Sequence, residues 1–346
     1  MKQHEKYIVR CIELAERGKG FVAPNPLVGA VLVHDDKIIG EGWHQQFGEA
    51  HAEVNCINSV SEINRKFIVD STLYVSLEPC NHFGKTPPCT DLILKSGIKK
   101  VVIGCRDENE LVNGVGVKRL SAHGVGVIEK VLEEECKDLN KRFFAFHKKH
   151  RPYIFLKWAE TTEGFIAAEN FKAIKISNSE VDYLMHQMRT EEAAIMVGFN
   201  TALHDNPKLT ARNFPISKQP LRIVIDKRNE LLKSHFLLAD EFPTLILNEI
   251  KNEKNDEKEF LKIDFHENWL HDFMQILFKR KILSLIVEGG TRLLESFIQS
   301  NLWDEAIKIT NRDLNIESGV KAPQIQNEVS FKKEIGNNLV EIISNR

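Results

Sequence analysis

Residues 48–91 restrict what this chain can fold into more than any other stretch. They read Gly48-Glu-Ala-His51-Ala-Glu53-Val-Asn55-Cys56, then Ser76-Leu-Glu-Pro79-Cys80, then Pro87-Pro88-Cys89. One imidazole and two thiolates can fill three tetrahedral corners around zinc and leave the fourth for water, as in a catalytic rather than a structural site. Zinc lowers the pKa of such a water to about 7. Glu53, a carboxylate that is not a ligand, can then carry the proton to a leaving amine. His51 and Glu53 stand about 200° apart on an ideal helix, so both reach one metal only from the helix's first turn, end-on. Gly48, just before, permits that entry.

The flanking residues suit such a site. Thr72-Leu-Tyr-Val-Ser-Leu77 is β-branched and aromatic, is bounded by Asp70-Ser71, and reads as a buried strand. Pro79 is predicted to open a helix after it, which would put Cys80 near a helix N-terminus, where thiolate is favoured. Cys89 precedes the apolar run Leu92-Ile93-Leu94, closed by Gly97. The His-x-Glu…Pro-Cys order resembles that of zinc nucleobase deaminases. Their second cysteine usually follows in Cys-x-x-Cys; here eight residues intervene between Cys80 and Cys89. The competing reading is a histidine and two cysteines that never meet, with the thiols merely buried.

Composition narrows the class. A chain of 346 residues can bury two cores. Its 42% hydrophobic and 28% charged residues are ordinary for a globular protein. With 47 basic against 49 acidic residues there is no electrostatic footprint for nucleic acid. The six cysteines form no framework and point to a reducing compartment. The N-terminal residues lack the apolar core of a signal peptide, and no stretch reaches the roughly 18 apolar residues of a membrane span. The expectation is a cytoplasmic protein with neither a membrane nor a nucleic-acid partner.

Along the chain, residues 2–17 carry Ile8, Cys11, Ile12 and Ala15 at helical spacing and stop at Gly18. Pro24-Asn25-Pro26 is a rigid turn feeding a strand to Val33, and a hairpin at Asp35-Asp36 returns through Trp43-His44 to the His51 helix. Asn25 either meets the edge of a flat heterocycle or caps its turn, and His44 by itself is a loop histidine. Gly114-Val-Gly116 and Gly124-Val-Gly126 read as turns. The basic run before Arg151-Pro152 reads as a solvated connector between domains. Beyond it, strands are predicted at 153–158, 193–197, 221–225, 244–247 and 283–288, with helical runs between most, then further strands over 302–346. The Lys-, Glu- and Asn-rich run 249–258 reads as a solvated surface segment. Leu283-Ser-Leu-Ile-Val-Glu288-Gly289-Gly290 is a strand ending in glycines ahead of a helix. Such a helix start can hold a dinucleotide pyrophosphate, or the glycines form only a tight turn. Arg189 and Arg212 can grip a phosphate or stand at the surface. Lys227-Arg228, at the end of the Leu221–Asp226 strand, suit the 2′-phosphate of a nucleotide, or belong to a solvated turn.

The insert Pro79-Cys80-Asn81-His82-Phe83-Gly84-Lys85-Thr86-Pro87-Pro88-Cys89 resembles the bifunctional riboflavin-biosynthesis deaminase–reductase family. So do Pro24-Asn25-Pro26-x-Val28-Gly29 and Glu41-Gly42-Trp43-His44. The second half agrees through Arg151-Pro152, Lys157-x-Ala159, Val197-Gly198-x-x-Thr201-x-Leu203-x-Asp205-x-Pro207-x-Leu209-Thr210-x-Arg212 and Glu288-Gly289-Gly290. The resemblance implies an α/β chain with a cytidine-deaminase-like zinc domain over 1–146 and a dihydrofolate-reductase-like domain over 147–346. It implies Zn2+ and NADPH as cofactors and a homo-oligomer. The first domain would hydrolytically deaminate a diaminopyrimidinone ribosylamino phosphate. The second would reduce the opened ribosyl group to ribityl. Asn25, His44, Lys85, Thr86, Lys157, Arg189, Leu209, Arg212 and Glu288 then fall to substrate. Ala159, Thr201, Asp205, Lys227, Arg228, Gly289 and Gly290 fall to the nucleotide. The chain departs from the family at Asn206, at Glu163, and at Ala173 and Lys175, where a serine and then a tryptophan are commoner.

Two rival functions compete. A deaminase of another nucleobase, including a nucleic-acid editor, shares the zinc motif but leaves the second domain unexplained. A structural zinc fold joined to a ligand-binding domain requires a fourth protein ligand, with His82 the nearest candidate, and has no use for Glu53.

Overall fold

The computed structural model describes residues 2–83, 87–108, 113–169, 174–215 and 218–345. The chain divides into two compact units, Met1–His150 and Arg151–Arg346. In the first, α1 (Lys2–Glu16) leads to the hairpin β1 (Gly29–His34) and β2 (Lys37–Trp43), then to α2 (Ala52–Asn58). The chain continues through β3 (Thr72–Leu77), α3 (Cys89–Lys95), β4 (Lys100–Cys105), α4 (Val115–Ala122) and β5 (Gly126–Ile128). Helices α5 (Glu133–Leu139) and α6 (Lys141–Lys149) close the unit. The sheet order is β2-β1-β3-β4-β5. The hairpin is antiparallel, and β3, β4 and β5 run parallel. Asp35 and Asp36 both take positive φ, 44° and 60°, as a tight hairpin turn demands.

In this unit Ala30, Leu32, Leu73, Val75, Val101 and Ile103 alternate inward along their strands and meet Ala52 and Cys56 of α2 and Ile93 of α3. The backbone of α2 lies directly on β2. A β-carbon placed on Gly42 would stand 2.2 Å from the amide nitrogen of Cys56 and 2.7 Å from the carbonyl oxygen of Ala52. Glycine at 42 therefore sets how closely the helix that carries Glu53 can approach the sheet.

The second unit begins with β6 (Tyr153–Thr161), β7 (Phe165–Ala168), α7 (Ser179–Glu191), β8 (Ala194–Val197) and α8 (Phe199–Asp205). Next come β9 (Leu221–Ile225), α9 (Phe236–Ala239), β10 (Thr244–Asn248), β11 (Glu253–Lys254) and β12 (Lys258–Lys262). Then follow α10 (Trp269–Lys279), β13 (Ser284–Val287) and α11 (Thr291–Gln299). Four strands end the chain: β14 (Glu305–Asn311), β15 (Gly319–Lys321), β16 (Val329–Ile335) and β17 (Asn338–Ser344). Ten strands form one sheet, β11-β12-β10-β9-β8-β13-β6-β14-β17-β16, parallel from β12 to β14. Strands β7 and β15 pair separately. The core packs Phe273, Met274 and Leu277 of α10 and Leu294 and Phe297 of α11 against Ile154, Leu156, Leu285 and Val287. Among the described residues no helix is long and apolar enough to cross a membrane.

Three sequence expectations change here. The basic run before Arg151 is no open connector, because α6 extends to Lys149 and buries Phe143, Phe144 and Phe146. Arg151 itself is buried. It holds Asp304 with two hydrogen bonds of 2.6 and 3.0 Å, while Asp304 also accepts from the Ile154 amide at 2.8 Å. The run 249–258 ends in Lys258, which is buried and donates to the carbonyl oxygens of Asp240 (2.6 Å) and Phe242 (2.8 Å). Gly116 belongs to the first turn of α4 and not to a loop.

Replacing Gly42 by alanine forces backbone to move rather than a flexible side chain. The expected cost is about 1–3 kcal/mol of stability, as for other overpacked sites. Denaturant unfolding of Gly42→Ala against the parent measures it.

Candidate active sites

Hydrogen bonding to the loop before it places the first site. The side-chain amide of Asn55 donates to the carbonyl oxygens of Trp43 (2.8 Å) and Ala50 (3.3 Å), so the loop from β2 folds back onto α2. His51 ends that loop as the N-cap of α2 in extended conformation, and Glu53 lies in the first turn. His51 and Glu53 thus meet the cysteines from a helix end.

The cysteines arrive by a route the sequence did not suggest. After β3 the chain does not enter a helix at Pro79. The Glu78 amide instead extends the strand ladder to Cys105 O at 3.0 Å. Its carboxylate accepts from the amides of Gly114 (2.9 Å) and Val117 (3.1 Å) at the start of α4. Cys80 does reach a helix N-terminus, but it is that of α3. The Cys89 amide donates to Cys80 Sγ at 3.3 Å and the Thr90 amide to Cys80 O at 3.2 Å.

His51 Nδ1 lies 3.5 Å from Cys80 Sγ and 3.3 Å from Cys89 Sγ. The three donor atoms are all within 4.8 Å of one another. Zinc with ordinary Zn–N and Zn–S bonds in tetrahedral geometry separates its nitrogen and sulfur ligands by about 3.5 Å, so this donor set fits the ion. Among the described residues the cluster comprises His51, Cys80 and Cys89; His82 is not part of it.

The electrostatics match. Hydrogen bonding from the Cys89 thiol, helped by His51 and the Cys89 amide, holds Cys80 down to about 4. Glu53 is 3% exposed, and burial, reinforced by the charge on Cys80, pushes its carboxyl up to about 7. The carboxyl therefore exchanges a proton near neutral pH. His44 is buried, and its ring centre is 5.4 Å from that of His51. Its Nδ1 donates to Ala50 O at 3.1 Å and its Nε2 accepts from Asn25 Nδ2 at 3.0 Å. That is the one tautomer that serves both partners, since a carbonyl only accepts and an amide nitrogen only donates. Burial lowers the His44 pKa, which keeps the ring neutral. Lys85 and Thr86 lie outside the described residues.

In the second unit the chain steps outward from β6 to β8, β9 and β10, then returns to lay β13 between β8 and β6. The crossing direction reverses there, and open parallel sheets bind ligands at the carboxyl ends of strands around such a point. Glu288 follows β13, and its carboxylate accepts from Arg189 Nε (3.2 Å) and Nη2 (2.7 Å). Lys157 on β6 follows Leu156, the register partner of Val287. Burial alone would raise Glu288; Arg189, then Lys157, outweigh it and hold the carboxylate below its ordinary value. Arg212 is exposed and donates from Nη2 to His186 Nε2 at 3.2 Å.

Thr201 and Asp205 lie on α8, and Gly289-Gly290 lead into α11. A β-carbon on Gly290 would stand 3.6 Å from Thr201 Oγ1, so the two face the same space. Burial raises Asp205. Leu209 is buried with φ 51°, in the left-handed region. Ala159 lies two residues beyond Lys157 on β6, opposite Ile309. Lys227 and Arg228 are exposed past the end of β9. Lys227 Nζ is 3.8 Å from Glu249 and 4.3 Å from the Phe265 ring centre. Lys175 pairs with Asp182 at 3.3 Å, and Ala173 lies outside the described residues. Sequence reasoning missed His186 and Asn55. His186 sits three residues before Arg189 on α7 and so shares its face, and Asn55 sits four after His51.

Residues 1–105 match the cytidine and deoxycytidylate deaminase zinc-binding region, and residues 152–310 match the RibD C-terminal domain. The riboflavin biosynthesis protein RibD of Aquifex aeolicus is 38% identical, with 97% of each chain aligned. That of Escherichia coli is 34% identical over 88% of this chain and 86% of its own. A crystal structure of a diaminohydroxyphosphoribosylaminopyrimidine deaminase/5-amino-6-(5-phosphoribosylamino)uracil reductase from Thermotoga maritima shares 34% identity and a TM-score of 0.90 over 99% of both chains. The chain therefore belongs to the RibD family of riboflavin biosynthesis proteins, with a cytidine-deaminase-like fold in its first unit and the family's reductase fold in its second.

Proposed function

We propose that His51, Cys80 and Cys89 hold zinc in the first unit and that Glu53 moves the protons of a hydrolytic deamination. The chain is a bifunctional enzyme of riboflavin biosynthesis, a deaminase and a reductase. The observation that carries the site reading is a buried, non-ligand carboxyl beside a three-donor cluster. A structural zinc site has no such need. His51, Cys80 and Cys89 would hold zinc, which when bound would make hydroxide available as nucleophile at neutral pH. Glu53, with its carboxyl near 7, can carry water's two protons in turn, one to the ring nitrogen and one to the departing amino group, so that ammonia leaves as the ring carbonyl forms. Neutral His44 holds the Asn25 amide beside the ligands, and Asn25, with its oxygen and second amide hydrogen still available, meets the edge of the diaminopyrimidinone, with Lys85 and Thr86 assigned to the same substrate.

In the second unit the deaminated substrate's phosphate falls to Arg212. A neutral imidazole holds its guanidinium, which leaves its charge for an anion, whereas Glu288 already matches the charge of Arg189. Lys157, Arg189 and Glu288 then position the opened ribosyl chain, with Leu209 beneath it. NADPH, when bound in this unit, would supply the hydride for the reduction to ribityl. The bare backbone of Gly289-Gly290 at the start of α11, beside Thr201, fits its pyrophosphate, and Asp205 and Ala159 complete that side. Lys227 and Arg228 stand at the end of β9, next to β8 in the sheet, and are assigned to the 2′-phosphate. All six thiols are free, which suits the cytoplasm, and the balanced charge suits a small-molecule enzyme, expected as a homo-oligomer, without a nucleic-acid partner.

Glu53→Gln should retain zinc yet lose ammonia release by about 10²–10⁴-fold, the range for removing a general acid–base. Cys80→Ser should lose the metal itself. Zinc content and ammonia release measured on both variants decide the matter, and undiminished deamination by Glu53→Gln would sink the assignment.

Arg212→Ala should raise KM for the phosphorylated substrate of the reductase about 10- to 100-fold, as for a lost charged hydrogen bond, with kcat little changed. An equal loss on the dephosphorylated substrate would place the phosphate elsewhere.

Replacing Lys227 and Arg228 together by alanine should raise KM for NADPH by an amount worth about 1–3 kcal/mol and leave KM for NADH unchanged. Steady-state reductase assays with the two nucleotides distinguish this from a solvated turn, which would affect neither.

A further inference from the structure

The two cysteines of the first site stand at opposite ends of a loop, and one side chain from another helix reaches both ends. Arg119 of α4 donates from Nη1 to Asn81 Oδ1 at 2.7 Å, and from Nη2 to Asp91 Oδ1. Asn81 immediately follows Cys80, and Asp91 lies two residues after Cys89. Thr90, fully buried, donates its hydroxyl to the same Asn81 oxygen at 2.8 Å. The guanidinium therefore ties the outgoing and returning arms of the loop together one or two residues beyond each thiol.

Two further contacts fix α4 against those arms. Glu78, two residues before Cys80, accepts from the amides of Gly114 and Val117. A β-carbon on Gly116 would stand 2.2 Å from Pro79 O, so the first turn of the helix lies against the residue before Cys80. Arg119 lies within one turn of that contact. Its planar fork presents two donors at a set spacing, which a lysine cannot reproduce.

We infer that Arg119 is a positioning residue for the metal: through Asn81 and Asp91 it holds Cys80 and Cys89 at the separation that a single zinc ion requires. Arg119 is not one of the metal donors, which are His51, Cys80 and Cys89. Its part is to keep the two thiolates from drifting apart, so its loss appears first in metal retention. The inference rests on the zinc assignment for His51, Cys80 and Cys89.

The test is competition for zinc between the full-length protein and a chromophoric chelator, alongside thermal melting with and without excess chelator. Arg119→Ala should hold zinc about 10- to 100-fold more weakly than the parent, the range for removing an outer partner of a metal ligand. The part of Tm that depends on zinc should shrink with it. Asp91→Asn keeps an acceptor oxygen in place and should retain zinc nearly as the parent does, whereas Asp91→Ala should not; this pair also decides the matter if Arg119→Ala fails to fold. Lys118→Ala, exposed on the same helix, controls for a general weakening of α4. Zinc affinity in Arg119→Ala equal to the parent's, or an equal drop in Lys118→Ala, overturns the inference and leaves the zinc assignment standing. A parent protein that takes up no zinc removes both.

Discussion

Burial of one carboxyl in the first turn of a helix is the constraint on which the first unit is built. Glu53 is shielded from water, and the free-energy cost of ionising it there is what lifts its pKa to about 7. That placement needs α2 to sit on the sheet with no side chain between, which Gly42 allows. It needs His51 at the N-cap in extended conformation, so that imidazole and carboxyl converge from the helix end instead of diverging around its girth. It also needs two cysteines supplied by the connection from β3 to its parallel neighbour β4, one before α3 and one at its start.

Much of this was legible in the sequence because the pattern is local. His51 and Glu53 are two residues apart, so helix geometry alone dictated that they enter end-on. The strand at 72–77 announces itself by its β-branched and aromatic run. What could not be read were contacts between distant residues. Pro79 looks like a helix start, yet the carboxylate of Glu78 is engaged by amides 36 and 39 residues away, and the chain stays irregular. Arg151 and Lys258 look like solvated charges in polar runs. Each is buried because a partner waits in the fold: Asp304 for the first, and the carbonyls of Asp240 and Phe242 for the second.

The second unit shows the same limit at larger scale. Strands β8, β9, β10 and β13 were placed within a residue by the sequence, but β6 runs three residues past its expected end, β7, β11 and β12 were not foreseen, and the spatial order was not legible. The return of β13 to a position between β8 and β6 brings Glu288 beside Lys157 and within reach of Arg189. Those three residues span more than a hundred positions, and no spacing rule links them. His186 was overlooked for a related reason. A histidine on a half-exposed helix face is unremarkable until the loop after α8 carries Arg212 back over it.

The long interval between the cysteines ties these points together. In a Cys-x-x-Cys pattern both thiolates project from neighbouring turns of one segment, and the segment's own backbone sets their separation. Here Cys80 follows a strand end and Cys89 begins a helix, with eight residues between. Closing such a loop costs conformational entropy that grows with its length, and the closed form must be held by contacts made elsewhere. The Cys89 and Thr90 amides supply some of them by donating to Cys80. Others come from α4, a helix after the next strand in the chain and outside the zinc motif. The wider spacing thus moves control of the metal geometry out of the motif and into the packing of α4 against the loop, where sequence patterns for zinc sites do not look.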